Sequence, residues 1–401
     1  MTANTLESIG PSDIALWACP FRPFFIAAAG YAIVGLAGWL GILLLGWPLA
    51  GGHAPMQWHS HEMLFGMVAA AIAGFLLTAM CNWTGAKPLS GRPLQALFGL
   101  WLAGRAAMWL SAVLPHALVA IVDVAFLTAV AIYAGRVIIG SGNYRNLPLV
   151  AVVSVLALAN LLFHAGWWTQ DPEMVRRIEF ATIGLIVLLM VIIGGRITPA
   201  FTRNWMQRKQ MQPERVRSWP LVDIVSLSAT AILVPVLLVG SPGALVAAVA
   251  GIAGIANALR VAGWQGWRAR SDALVWILHA GYAWIPLGLI LMAASFAWGS
   301  PASTVWLHAL GPGAMGVLIV GVMTRVALGH TGRALELPRG AGLAYGLVIA
   351  SALVRLCTAL GWLPWQAGVL ASTAAWIGAF GVFLWLYLPI LTRPRIDGRP
   401  G

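Results

Sequence analysis

Two histidines and a glutamate lie together in the stretch WHSHEMLFG, residues 58–66, at the start of an apolar run from Met67 to Met80. Imidazole and carboxylate groups bind metal ions and carry protons, and both are costly to bury in a bilayer. Residues two apart on a helix differ in direction by about 200°. His59 and His61 are therefore predicted to serve two centres on opposite sides of one helix.

The helix face that carries His59 continues with Met63, Gly66 and Met67, and the face that carries a distant histidine, His308, continues with Gly311, Pro312 and Met315. Imidazole with thioether suits haem iron or copper(I), and glycine lets a flat macrocycle approach the backbone. A zinc-protease HExxH motif is excluded because Phe65 occupies its last position. We predict a haem or copper site here; the candidate metal ligands are His59, His61, His279, His308, His330 and Met63.

Four more charged residues lie inside apolar runs, and they allow two interpretations. Arg105 and Arg355 could pair with Asp123 and Glu179 as purely structural ion pairs. If a haem is bound, the two arginines are instead the natural partners of its propionates. Glu62 and Asp123 would then be placed to pass protons from the outside.

The composition indicates an integral membrane protein. Hydrophobic residues make up 60% of the 401 residues and charged residues only 9%, which leaves no room for a sizeable soluble domain. The net charge of +12 does not indicate nucleic-acid binding, because the basic residues recur between apolar runs instead of forming a patch. The three cysteines show no disulfide or redox spacing.

Apolar runs of about 20 residues are long enough to span a bilayer. We predict an all-α bundle of twelve transmembrane helices near 22–47, 57–81, 93–112, 116–138, 147–168, 174–195, 219–240, 243–263, 273–297, 302–326, 341–361 and 365–391. Every second connection lacks Lys and Arg, which predicts that both termini are cytoplasmic. Residues 1–401 form one transmembrane domain, in which a basic cytoplasmic loop, 196–218, separates helices 1–6 (about 22–195) from helices 7–12 (about 219–391).

This topology assigns a depth to each histidine. Six of the eight are predicted to lie towards the outer side, among them His59, His61 and His308. His279, in helix 9, and His330, at the end of helix 10, lie near the cytoplasmic side. Such clustering at one leaflet favours a fixed site over a path across the membrane.

Five segments together resemble the NnrS family: PFRPFF (20–25), WHSHEMLFG (58–66), GFLLTAMCNWTG (74–85), LHAGYAWIPLGL (278–289) and HALGPGAMGVLIVGVMTRVALGHTGR (308–333). The resemblance implies a twelve-span protein of the bacterial inner membrane that contains haem and copper and takes part in the response to nitric oxide. The histidine-bearing motifs of the family fall on His59, His61, His279, His308 and His330.

The architecture also resembles, more faintly, the catalytic subunits of haem-copper oxidases and nitric oxide reductases. Those proteins carry haem histidines on helices 2 and 10, towards the outer side. This chain departs from them because helices 6 and 7 lack histidine and because its histidine pair is on helix 2 instead of helix 10. The likeness is one of fold and does not by itself assign a function.

These features predict a haem-binding oxidoreductase that reduces nitric oxide or removes nitrosyl damage. His308 and one of His59 and His61 would ligate a low-spin haem, and the other, with His279 or Met63, would hold a second haem or copper. The expected partners are nitric oxide or another small gas, membrane lipid, and a quinol or periplasmic electron donor, without nucleic acid. Two alternatives stay open: a haem or copper transporter or insertion factor, and a nitric oxide sensor that signals through the loop 196–218.

Overall fold

The computed structural model describes residues 15–47, 54–299 and 304–398, so the external-loop histidine His53 lies outside the described residues. Within those ranges the regular structure is entirely helical, without a strand. The long helices are α1 Phe21–Leu45, α2 Pro55–Thr84, α3 Gly91–Trp109, α4 His116–Gly140, α5 Leu147–Trp168, α6 Pro172–Arg208, α7 Pro220–Leu238, α8 Gly243–Gly263, α9 Ala273–Trp298, α10 Val305–His330, α11 Ala341–Ala359 and α12 Trp365–Thr392.

Eleven helices in the described part of the chain are long and apolar enough to cross a membrane. The remaining long helix, α3, is not among them, since Arg92, Gln95 and Arg105 lower its mean hydropathy. Its 19 residues measure about 28 Å, close to the thickness of the hydrocarbon core. The twelfth span and the cytoplasmic position of both termini therefore stay predictions. The term outer is used below for the predicted non-cytoplasmic side.

Helix α6 differs from the predicted boundary. It continues through the basic stretch to Arg208, with Pro199 inside it, so residues 196–208 are helical and only the rest of the predicted loop connects α6 to α7. The end of an apolar run marks where a helix leaves the bilayer, not where the helix stops. Arg, Gln and Met are good helix formers, and 37 residues extend about 55 Å, well beyond the hydrocarbon core.

Helices that follow one another in sequence pack together, and α1 packs against α12, so the helices form a closed ring. Helices α2, α6 and α10 contact one another inside this ring and, with α9, are the most deeply buried spans. Exposed tryptophans mark the outer ends of several helices: Trp47, Trp168, Trp298 and Trp362. Tryptophan prefers the membrane interface, which fits a bundle embedded in lipid.

Two central helices contain π-helical segments. The one in α2 covers Glu62–Val68 and the one in α10 covers Ala309–Gly316. Pro312 lies in the second segment, where its ring nitrogen cannot donate the usual hydrogen bond and the helix widens. Each segment begins directly after a predicted ligand, namely His61 and His308. Such π-segments are rare and occur frequently at functional sites.

Candidate cofactor site

A cavity of about 530 Å³ lies among the central helices at their outer end. Cofactor pockets usually enclose about 300–1,000 Å³. Its rim includes the exposed residues Met56, Thr304 and Trp365, so it opens towards the outer side. Besides tryptophans, the polar and sulfur-containing side chains of its wall are those of Met56, His59, Ser60, Met63, Met67, Glu179, Thr304, His308, Met315, Ser351, Arg355, Ser372 and Thr373.

The structure brings the predicted ligands His59 and His308 to this one cavity. The His59 ring stacks on Trp39, with centroids 4.5 Å apart, and its Nδ1 is buried without a hydrogen-bond partner among the described residues. His308 donates from Nδ1 to the carbonyl oxygen of Thr304 at 3.0 Å, which leaves the lone pair on Nε2. Metal-binding histidines are commonly oriented in this way by a hydrogen bond to their second nitrogen.

The wall near the two histidines contains glycine and methionine residues. A Cβ built on Gly311 meets no atom within 4 Å, so this part of α10 faces open space. Met63, Met67 and Met315 supply thioethers. Gly66, which we predicted on the His59 face, points elsewhere: its Cβ position lies 2.9 Å from a guanidinium nitrogen of Arg105. The π-helical segment changes the register after His61, which explains the difference.

The cavity contains one cation and one anion that do not pair. Arg355 forms no ion pair within the described ranges, so the predicted pairing with Glu179 is not seen there. Glu179 instead accepts a hydrogen bond from Ser60. An arginine without an anionic partner at this depth is suited to bind a carboxylate of a ligand.

His61 faces away from the cavity, as its spacing from His59 predicts, and joins a buried network. Its Nδ1 lies 2.8 Å from a Glu62 carboxylate oxygen, and its Nε2 lies 3.0 Å from the Asn160 side-chain oxygen and 3.1 Å from Asp123. Arg105 donates to Glu62 at 2.5 Å and also to Asp123. The structural pairing of Arg105 with Asp123 is therefore formed, and Arg105 does not line the cavity.

The hydrogen bonds of His61 imply an extra proton in this network. Both its nitrogens face acceptor oxygens, whereas a neutral imidazole has a single N–H. Either the imidazole carries two protons or one adjoining carboxyl is protonated. With Arg105 and the carboxyls of Glu62 and Asp123, the network is electrically neutral in both cases, as buried charge requires.

Side chains from α1 and α5 complete the network. Tyr31 donates to Glu62, and Nε2 of His164 lies 2.9 Å from Asp123. The ligand atoms of His61, Asp123 and His164 all lie within 4.8 Å of one another, so this group could hold a metal ion instead of the extra proton. Imidazole and carboxylate ligands suit several divalent transition metals.

The structure places the other two predicted histidines away from both sites. His279 lies 2.8 Å from the Thr202 hydroxyl, which donates its own hydrogen to the carbonyl oxygen of Thr198. His279 therefore donates to Thr202, and this bond joins α9 to α6. His330 contacts Phe21 at the inner end of α10, about 33 Å along the helix from His308.

Sequence reasoning missed or undervalued several contributors to the two sites. Asn160 and His164 lie four residues apart in the apolar helix α5, so they share the face that meets Asp123. That spacing was visible in LANLLFHAG. The stacking of Trp39 on His59 joins α1 to α2 and had no sequence signal.

Comparison with protein families matches residues 15–395 to the NnrS protein family. No curated protein matches the chain significantly. The match extends from the short helical turn before α1 to the segment after α12, so it includes every residue of the cavity and of the His61 network. The chain belongs to the NnrS family.

Proposed function

We propose that the outer cavity binds haem and that the protein acts in resistance to nitric oxide, by reducing it or by removing nitrosyl damage. One observation carries the haem proposal: His59 of α2 and His308 of α10, each with an available nitrogen, line a single cavity of cofactor size. The choice of nitric oxide as the gas that binds at this site rests on membership of the NnrS family.

The surroundings of the two histidines support this assignment. Arg355 is the cavity residue suited to a haem propionate, whereas Arg105 is already engaged by two carboxylates. A haem held by one of the two histidines would supply an iron centre that can bind a diatomic gas. Met63 is an alternative ligand on the same wall. The exposed rim would give a soluble electron carrier access from the outer side, and a quinol stays the alternative donor.

Reduction of two nitric oxide molecules to nitrous oxide and water consumes two electrons and two protons. The extra proton of the buried network, carried by His61 or by one of the carboxyls of Glu62 and Asp123, is the proposed reserve when no metal occupies that network. Glu179 lies nearer the reacting position, because it lines the cavity and is hydrogen-bonded to Ser60. We assign Glu179 the final transfer, a role that sequence analysis did not give it.

For a second metal centre, the geometry favours a ligand set different from the predicted one. His61 lies with Asp123 and His164 and not with His279 or Met63. Copper is therefore proposed at the His61, Asp123 and His164 group, where it would replace the extra proton.

The deciding experiment is an absorption spectrum of the purified protein, oxidised and reduced, before and after nitric oxide, with iron and copper counted on the same sample. His59→Ala and His308→Ala should each remove or strongly alter the haem spectrum. His279→Ala is the matched control and should leave it unchanged. Haem-free wild-type protein prepared with haem available would contradict the proposal, as would an unaltered spectrum in both variants.

A transporter or insertion factor requires ligands staggered across the membrane. A second, smaller space lies beneath the cavity and shares Val68 and Met315 with its wall. The lining of this second space is apolar and contains no histidine. A fixed site is therefore favoured over a route for haem or copper. A sensor would bind the gas without consuming it, which a turnover assay on the same sample distinguishes.

A further inference from the structure

A second, smaller space of about 100 Å³ adjoins the floor of the outer cavity. Val68 of α2 and Met315 of α10 belong to the walls of both spaces. Every residue of the lower wall is apolar: Phe25, Val68, Ala71, Ile72, Phe75, Leu76, Ile186, Leu189, Met190, Ile193, Gly194, Ile197, Met315, Leu318, Ile319, Val322 and Met323. We call this space the apolar shaft.

The shaft follows the three central helices inwards. Its wall on α6 runs from Ile186 to Ile197, a distance of about 16 Å along the helix. Its wall on α10 begins at Met315, two turns after His308, and reaches Met323. The shaft therefore extends from below the cavity floor towards the inner half of the bundle, with Val68 and Met315 between the two spaces.

The lining determines what can enter. Water, protons and ions require polar partners, which these walls do not offer. Apolar cavities in proteins stay dry and accept xenon or small hydrocarbons. A haem or a quinone ring is too large for this volume, whereas a diatomic gas fits. The unbranched Met315 side chain, between the two spaces, can change rotamer and let a small molecule pass.

We propose that the apolar shaft binds a small uncharged gas and delivers it from the apolar interior of the bundle to the outer cavity. The identity of the gas, nitric oxide, rests on the function proposed above, whereas the binding of an apolar gas does not. Gas would thus reach the cavity from the apolar core while protons reach it through Ser60 and Glu179.

Xenon is the probe that tests the shaft without any cofactor. Xenon-129 NMR on the purified wild-type protein, with electron density from xenon-pressurised crystals, should show one site bounded by Val322 and Ile193. Val322→Phe fills the shaft from a half-buried position and should abolish that site. Val155→Phe, the same exchange at an exposed position on α5, is the matched control and should keep it.

On haem-loaded protein, Val322→Phe should slow nitric oxide binding in stopped flow by about tenfold while the absorption spectrum is unchanged. Val322→Ala only removes atoms and should raise xenon occupancy, so it gives a result even if the larger side chain prevents folding. Absence of xenon from the wild type, or a lipid or detergent chain in the shaft, would overturn the proposal. Xenon binding in a protein that takes up no haem would support the shaft and refute the cofactor.

Discussion

At the scale of single residues, the two histidines of α2 differ in what they are free to do. His59 lines the cavity, and its buried Nδ1 has no hydrogen-bond partner among the described residues, whereas both nitrogens of His61 are engaged by side chains. An engaged histidine can bind a metal only if its partners give up their hydrogen bonds. His59 would not lose a hydrogen bond at its Nδ1 on binding a ligand.

Replacing Asp123 tests how much the buried network contributes to the stability of the protein. Asp123→Ala leaves Arg105 with one carboxylate and removes acceptors from His61, His164 and Asn160. Removing one partner of a buried ion pair costs about 3–5 kcal/mol. We expect a large drop in the melting temperature of the detergent-solubilised protein.

The control for Asp123 is Glu173→Ala, which removes a carboxylate that pairs with arginines at the exposed start of α6. Exposed ion pairs contribute little to stability, so this variant should melt close to the wild type. Equal melting temperatures for the two variants would show that the network is not a stability element.

Replacing Arg355 tests whether its guanidinium group binds a haem propionate in the cavity. Arg355→Gln removes the charge and keeps most of the side chain, and no ion pair of the described chain is broken by it. Loss of one charge-assisted hydrogen bond costs about 1.5–3 kcal/mol, so haem should be released at least about tenfold faster with little change in folding.

Arg339→Gln, in the polar connection before α11, is the control and should retain haem normally. Haem release is measured by transfer to an acceptor protein. Unchanged release from Arg355→Gln would exclude this arginine as a propionate partner.

At the scale of helices, the sequence predicted which segments are helical better than where they end or how they are wound. Apolar length located every long helix, because the bilayer requires it. It could not predict that α6 continues to Arg208, since hydropathy reports the membrane and not the backbone. Nor could it predict the π-segment after His61, which contains no proline and depends on packing.

Replacing Pro312 tests whether the π-helical segment of α10 positions His308. Proline inside a helix costs about 3 kcal/mol, so Pro312→Ala should let α10 regain regular winding and should not lower thermal stability. The regained winding rotates His308 relative to the cavity, and we expect a changed haem spectrum or a reduced haem content. Pro235→Ala, in the lipid-facing part of α7, is the control and should leave the spectrum unaltered. A normal spectrum in Pro312→Ala would mean that the π-segment does not position His308.

At the scale of the whole molecule, the sequence predicted that His59 of helix 2 and His308 of helix 10 lie near one another, but not the closed ring. The contact of α1 with α12 joins the two ends of the chain, and no local pattern encodes it. The pairing of Arg105 with Asp123 was among the predicted alternatives. The absence of a described pair between Arg355 and Glu179 could only be seen once α6 and α11 were placed around the cavity.

The twelfth span has a clear consequence for topology. An even number of spans puts both termini on one side of the membrane, and an odd number puts them on opposite sides. We expect fluorescent protein fused to either terminus to fold and fluoresce in the cytoplasm, and periplasmic phosphatase fused to either terminus to be inactive. A phosphatase active at one terminus only would exclude α3 as a span.

The outer cavity and the apolar shaft together determine the electrical character of any reaction in this protein. Under the proposed function, protons would arrive through Ser60 and Glu179 from the side on which the cavity opens, and the apolar shaft would offer them no path across. When a carrier on that same side supplies the electrons, turnover is electroneutral. Such a reaction would neither build nor consume membrane voltage.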